Sequence, residues 1–348
     1  MNTRVYIKNG TNLRDVIREI FEVFELKDLK HRRVFVKPNM LRIARSEDCI
    51  ITDPQLIEVT VDYLLKNSAQ VIVGDNPIPQ SINAIEVAQR CGFLQASQGK
   101  FKNIGRYVKK IRLKHKNVKE IYVSRDILDS EILISLPKFK THELTILSTA
   151  IKNQFGIIPG GLKPNLHYQC VSLDDFCKLL IEVYNLKKPD LIIIDALNIR
   201  DARRKLFKPG KIIVSNDPWA VEYVCSLIVN LKPEHNPILK IGFKEKLFDP
   251  DKIEIHGQLE PIRDFSLPPG LFLRNIFSGI GSRIFAKLQE SKVPYIDHYF
   301  CNKCRACENV CPARAIVYFN IDNKKCIKCY CCFEVCPTSA IKKKLKIM

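Results

Sequence analysis

Two stretches near the end of the chain, CNKCRACENVCP (301–312) and CIKCYCCFEVCP (326–337), share the spacing CxxCxxCxxxCP and form an internal repeat. No other feature restricts the fold as strongly. In each run the first three thiolates wrap three corners of one iron–sulfur cube. The fourth, held off by three residues and followed by a proline, reaches the other cube. The pattern predicts two [4Fe-4S] clusters with crossed ligands: Cys301, Cys304, Cys307 and Cys336 on one, and Cys326, Cys329, Cys332 and Cys311 on the other. Cys331 is left over as a spare thiol, and Pro312 and Pro337 each open a short helical stretch. Zinc sites use four thiolates in CxxC pairs, which two runs of four with trailing prolines fit poorly. Disulfides fit less well. No signal peptide or membrane-crossing apolar span is legible, so the expected compartment is the reducing cytoplasm, where thiols stay free. The five remaining cysteines, Cys49, Cys91, Cys170, Cys177 and Cys225, are dispersed among apolar residues and read as small buried hydrophobes.

The rest of the chain is long enough for a second, larger core. It has 348 residues, 46% of them hydrophobic, and length alone predicts two or three domains. The formal net charge is +19, which two clusters, each about −2 with its thiolates, would lower to about +15. A field of that sign attracts acidic proteins, anionic small molecules, nucleic acid or anionic lipid. The cations cluster only at 102–119, 203–211 and 342–346, and no RNA-binding or helix-turn-helix signature accompanies them. No specific nucleic acid is therefore expected, and most of the charge reads as solvated surface.

The first 265 residues or so alternate strand and helix patterns. VYIKN, RRVFVKP, QVIVGD, KEIYVS, EILISLP, PDLIIIDA, GKIIVS and DKIEIHG read as strands. NLRDVIREIFEVF carries apolar residues at helical spacing. Asp53 and Pro54 supply an N-cap and first-turn proline for a helix through about Leu65, and further helices are expected to start near Ser81, Thr141, Ser172 and Asp217. Short, fully apolar strands alternating with helices predict an α/β fold: a mostly parallel sheet with helices on both faces, plus the small C-terminal α+β dicluster ferredoxin domain.

Ligands of such sheets bind at the carboxyl ends of the strands. The polar residues expected there are Lys37 and Asn39, then Asp75 and Asn76, then Lys138, Lys140, Thr141 and His142 of PKFKTH, and Asp195 with Asn198. Lys152, Asn153, the glycines 156, 160 and 161, and His167 follow. Lysines, amides and histidines converging at a sheet rim suit an oxyanion or phosphate, and a glycine-rich turn lets backbone N–H groups approach it. The expected catalytic residues are His142, Lys140 and Lys152, with Lys37, Asn39, Lys138, Asn153, His167 and Asp195 binding substrate. Against this stands the plainer reading that strand-end lysines are solvated and a lone histidine is structural. No Walker, GxGxxG or GxSxG motif types the site.

The same residues carry a resemblance. VFVKPNML, ITDPQLIEVTVDYLL, VIVGDNP, LISLPKFKTHELTILSTAIKNQFGIIPG and SNDPWAVEYV are similar, in order and over roughly residues 30–245, to the blocks of the domain of unknown function 362 family. That family is often joined to a C-terminal two-cluster ferredoxin domain. The resemblance implies an α/β domain in an anaerobic or redox-linked iron–sulfur protein, without an agreed reaction. The strand, HELT and GG turn also resemble a block of lactate-racemase-type proteins. Two departures stand out. NIRDARRKLFKPG places Arg200, Arg203, Arg204 and Lys205 where many members have glycines, and Glu222 stands where aspartate is commoner.

Residues 1–267 are thus expected to form the α/β domain, 268–297 a linker or docking segment, and 298–348 the ferredoxin domain with a basic tail. Within the linker, Leu273, Ile276, Phe277, Ile280, Ile284 and Leu288 share a helical face. Docking is favoured over peripheral membrane contact, because Gly279 and Gly281 weaken a free interfacial helix. Two functions fit. One is an oxidoreductase in which a redox partner, an acidic ferredoxin-like donor or acceptor, exchanges electrons through the clusters with an anionic substrate. The other is a non-catalytic electron carrier whose α/β domain only docks another redox protein.

Overall fold

The computed structural model describes residues 2–26, 28–78, 84–105, 107–170, 172–268, 292–311, 313–326, 332, 336–338 and 340–345. Cys329, Cys331, the helix start near Ser81 and the amphipathic segment 271–288 lie outside them.

Seven strands form the main sheet: β1 (Thr3–Asn9), β2 (Arg33–Pro38), β3 (Gln70–Val73), β6 (Ile132–Leu136), β9 (Leu191–Ala196), β12 (Lys211–Ser215) and β13 (Ile253–His256). Their order is β13-β1-β12-β9-β6-β2-β3. The run β9-β6-β2-β3 is parallel throughout. β12 is antiparallel to β9 and to β1. The chain between β9 and β12 holds only β10 (Ile199–Arg200) and β11 (Leu206–Phe207). A connection without a crossover helix returns its strand antiparallel.

Two strand-like stretches stand apart from the sheet. KEIYVS forms β5 (Glu120–Ser124), which among the described residues pairs with β4 (Val108–Arg112) alone in a two-stranded hairpin. The helix expected from Thr141 is instead a hairpin of β7 (Lys140–His142) and β8 (Ile146–Ser148), and helix begins only at Ala150. The reason is local. His142 Nδ1 accepts the backbone N–H groups of Leu144 and Thr145, both at 3.2 Å, and Ile146 takes a left-handed φ of 69°. The β-branched Thr141 favours the extended course over helix.

Alternation along the strands buries both faces of the sheet. Val34, Val36, Ile132, Ile134 and Leu136 pack with the helices Leu13–Val23 and Pro54–Lys66. Phe35 and Leu133 face the other way, against the helices Leu173–Leu186 and Pro237–Lys244. Ile192, Ile194 and Ile213 pack under the helix Pro218–Ile228. Side-chain caps stand at three expected helix starts: Asp53 accepts from Gln55 N, Ser172 from Asp175 N, and Asp217 from Trp219 N and Ala220 N.

The ferredoxin unit pairs β14 (Lys292–Ile296) antiparallel with β17 (Ile341–Leu345), and β15 (Ile316–Val317) with β16 (Asn320–Ile321). Its first strand begins at Lys292, inside the segment expected to be linker, because pairing with the last strand draws residues 292–296 into the unit.

Candidate functional site

In the parallel run β9-β6-β2-β3 the chain leaves β2 towards β3 and later returns to place β6 on the other side of β2. The carboxyl ends of β2 and β6 are therefore a topological switch point, where an open α/β sheet leaves a crevice. Lys37 and Ser135 are cross-strand partners there. Alternation turns both towards the face of Phe35 and Leu133.

Asn153, at the end of the helix Ala150–Asn153, reaches both of them. Its Nδ2 donates to Ser135 Oγ at 3.0 Å, and its Oδ1 lies 3.4 Å from Lys37 Nζ. Lys37 is wholly buried, and its Nζ donates to Asp75 Oδ1 at 2.9 Å and to the Pro38 carbonyl at 3.1 Å. Asp75 Oδ2 accepts the Met40 N–H at 2.7 Å. Burial lowers the Lys37 pKa against the opposing pull of Asp75. A Cβ on Gly156 would overlap both Asp75 Oδ1 and Lys37 Nζ, so only glycine lets this turn close over the pair.

The next turn brings a group that the sequence did not single out. Lys163 opens the helix Lys163–Gln169, and its Nζ donates to the Asn76 carbonyl. Burial, opposed by Asp75 and reinforced by Lys37 and Lys152, brings its pKa down to about 8. One helical turn on, His167 is brought down to about 3 by burial and by Lys152 and Lys163. Its ring lies 4.2 Å from that of Phe176 and edge-on to Phe155. Gly160 closes the loop, because a Cβ there would collide with the Pro77 carbonyl. The structure thus gathers Lys37, Asp75, Asn76, Lys152, Asn153 and His167 from the expected residues, and adds Lys163. The signal for Lys163 was its place four residues before His167, on the same helical face.

The other expected residues form a second network beside this one. Lys138 Nζ donates to Asp195 Oδ1 at 2.9 Å, with both side chains buried. Asp195 also accepts the Asp53 and Leu197 N–H groups. Lys140 Nζ donates to the Ile50 carbonyl at 2.9 Å. His142 is buried, and because Nδ1 accepts in its turn, the proton of the neutral ring sits on Nε2. Asn39 N donates to Thr52 Oγ1, while its Oδ1 is buried and finds no hydrogen-bond partner among the described residues. Of the dispersed cysteines, Cys49, Cys91, Cys177 and Cys225 are buried and Cys170 is half-buried.

Glu222 supports the site from behind. Wholly buried, it accepts the Ile151 N–H at 3.0 Å and the Thr149 hydroxyl, and so caps the helix that carries Lys152 and Asn153. Burial raises its carboxyl to about 7.

A separate trio, His115, Cys170 and Asp175, has ligand atoms within 4.8 Å of one another. His115 Nδ1 accepts the Asn117 and Val118 N–H groups, which leaves the proton on Nε2, directed at the Asp175 carbonyl at 2.9 Å. The ring nitrogen that also lies 3.3 Å from Asp175 Oδ1 is therefore a donor, which disfavours a metal there.

In the ferredoxin unit, Cys307, Cys332 and Cys336 are buried with Ile296, Ile316, Ala340 and Ile341, and Cys301 and Cys311 pack against them. Burial, with Cys336 and Cys304 beside it, pushes the Cys307 thiol up to about 11. Thiols gathered in an apolar core are costly to ionise until a cation neutralises them, which suits iron. The fourth cysteine of each run takes the same hydrogen bond: Ala315 N donates to Cys311 Sγ at 3.2 Å and Ala340 N to Cys336 Sγ at 3.1 Å. Such N–H···S bonds are among the factors that tune cluster potentials. One residue of the α/β domain, Ile78, also packs against this core.

A family model described as a domain of unknown function (DUF362) matches residues 34–226, more than half of the chain. The chain belongs to the DUF362 family. The match takes in both buried Lys–Asp pairs, Lys163, His167 and Glu222. In this DUF362 protein a 4Fe-4S binding domain model also matches twice, at 294–317 and 319–342. Its cofactors are two [4Fe-4S] clusters, and with them it has the capacity for electron transfer.

A thylakoid-associated protein (sll1697) of Synechocystis sp. is 26% identical over 218 residues, which is 60% of this chain and 66% of that protein. The match thus spans just under two thirds of the relative's length. The lactate racemase apoprotein from Thermoanaerobacterium thermosaccharolyticum aligns with a TM-score of 0.42 at 12% identity, over 66% of this chain and 57% of that one. Among the described residues no helix is long and apolar enough to cross a membrane.

Proposed function

We propose that this DUF362 protein is an oxidoreductase that moves electrons through its ferredoxin unit to or from a small anion bound beside the Lys37–Asp75 pair. The observation that carries the reading is the segment Asp75–Ile78. Its first residue bonds Lys37, its second accepts from Lys163, its third meets Gly160, and its fourth packs on the ferredoxin core. Three peptide units span at most about 11 Å, so the lysine group and the iron–sulfur core share one short piece of backbone.

The chemistry of the residues supports an anion. Lys152 and Lys163 supply charge-assisted donors, and Asn153 supplies an amide held in place by Ser135. His167 is held neutral by burial and by Lys152 and Lys163, so its ring N–H can donate a hydrogen bond to an anion. Lys37 and Asp75 hold the strand ends in place. The bound clusters supply one-electron transfer, with Cys301, Cys304, Cys307 and Cys336 holding one and Cys326, Cys329, Cys332 and Cys311 the other. The closeness of Cys307 to both Cys304 and Cys336 supports this crossed set. The charge of +19 suits an acidic, ferredoxin-like partner as electron donor or acceptor.

The test is calorimetric binding of phosphate, sulfate and small carboxylates to anaerobically prepared holoprotein and to Lys152→Met. One anion class should bind, and the variant should lose about ten- to a hundredfold in affinity, as expected for a charge-assisted hydrogen bond. Equal affinity in the variant, or no binding of any anion to wild type, would contradict the proposal and leave the electron-carrier reading.

A further inference from the structure

We propose that Lys163 is a redox-linked proton site: it takes up a proton as the ferredoxin unit gains an electron and releases it on reoxidation. The inference deepens the proposed function by giving its site a proton to deliver, but its test needs no substrate.

Placement comes first. Lys163 Nζ is fixed on the Asn76 carbonyl, two residues from Ile78, which packs on the core formed with Cys307, Cys332 and Cys336. Gly160 meets the Pro77 carbonyl so closely that no Cβ fits, which locks the turn preceding Lys163 to the same segment. The amine is thus tied on two sides to the stretch of backbone that reaches the iron–sulfur core.

Its surroundings come second. Among the described residues, the charged or titratable groups acting on Lys163 are Asp75 from the end of β3, Lys37 from β2, and Lys152 from the helix Ala150–Asn153. His167 on its own helix lies within reach of its charge. Asp75 already neutralises Lys37 at 2.9 Å. His167 is held neutral, and burial brings the Lys163 ammonium down to about 8, where its charge can change.

Adding an electron adds a negative charge, and in a partly buried setting that charge is weakly screened. It favours the ammonium over the amine. One electron from an external one-electron donor enters the ferredoxin unit, and one proton from the solvent converts the Lys163 amine to ammonium. Reoxidation reverses both. Below about pH 8 the side chain is largely protonated in either redox state, and reduction should be insensitive to pH. Above that, reduction must draw a proton in, so its equilibrium constant should fall as pH rises.

The experiment is an anaerobic redox titration of the holoprotein between pH 6.5 and 10, followed by paramagnetic resonance, without substrate and with dithionite as reductant. In wild type, the equilibrium constant for at least one cluster should fall several-fold between pH 8 and pH 9.5. The limit is tenfold per pH unit, which is about 59 mV for one electron. Lys163→Arg, with a fixed charge, should be flat over this range. Lys163→Met should also be flat but harder to reduce than the arginine variant. A wild type that is flat from pH 6.5 to 10, or a slope retained in both variants, would overturn the proposal. Failure of anion binding in the calorimetric test would leave this result untouched, so the two readings fail separately.

Discussion

Lys37 Nζ lies 2.9 Å from Asp75 Oδ1, with side-chain exposures of 0% and 3%. The contact joins the carboxyl ends of β2 and β3 beside the crevice that the switch in strand order opens between β2 and β6. Removing one member of such a pair leaves a buried charge without its counter-ion. Lys37→Met and Asp75→Ala should each cost about 3–5 kcal/mol. The double variant should lose clearly less than the sum, because the second change removes the stranded charge. Denaturant unfolding of the four proteins measures this, and strict additivity would mean that the pair is not coupled.

Gly156 closes over that pair. Gly156→Ala pushes a methyl group into both charged side chains, so about 1–3 kcal/mol of destabilisation is expected from overpacking. Gly161→Ala is the control, because nothing lies within 4 Å of a Cβ there. Thermal melts that rank the two equally would contradict the packing described.

Glu222 sets a pH dependence of stability. Its carboxyl rises from 4.5 to about 7 in the fold, so the folded chain keeps a proton that the unfolded chain has released. Its contribution is full below about pH 4.5 and is lost as pH rises through about 7, on the order of 3 kcal/mol in all. Glu222→Gln should flatten the fall in unfolding free energy between pH 5 and pH 8. An unchanged slope would show that another group titrates there.

The crossed cluster ligands make a further prediction. Cys336→Ser and Cys301→Ser lie in different runs yet should disturb the same cluster, leaving the other one's resonance intact. Loss of a different signal in each variant would assign every cluster to its own run.

Much of this architecture was legible in the chain. Val34, Phe35 and Val36 announce a strand buried on both faces, and the same alternation fixes the side on which Lys37 and Ser135 emerge. The helix starts at Asp53, Ser172 and Asp217 depend only on near neighbours, and they appear as expected. What was not legible depends on distant partners. The hairpin at Lys140–Ser148 rests on a histidine ring accepting two turn N–H groups, where periodicity suggested helix. The strand Glu120–Ser124, apart from the main sheet, carries a strand pattern, but nothing in that pattern says which strand it will join. Lys163 gains its place from Asn76 and Asp75, nearly 90 residues earlier, and Glu222 from the helix it caps some 70 residues before it.

The central claim is that the C-terminal thiolates carry electrons. Iron and acid-labile sulfide should be measured on anaerobically purified protein, together with its paramagnetic resonance spectrum after dithionite. About eight irons per chain and the signals of two reduced [4Fe-4S] centres are expected. Stoichiometric zinc with no such signal would contradict the account.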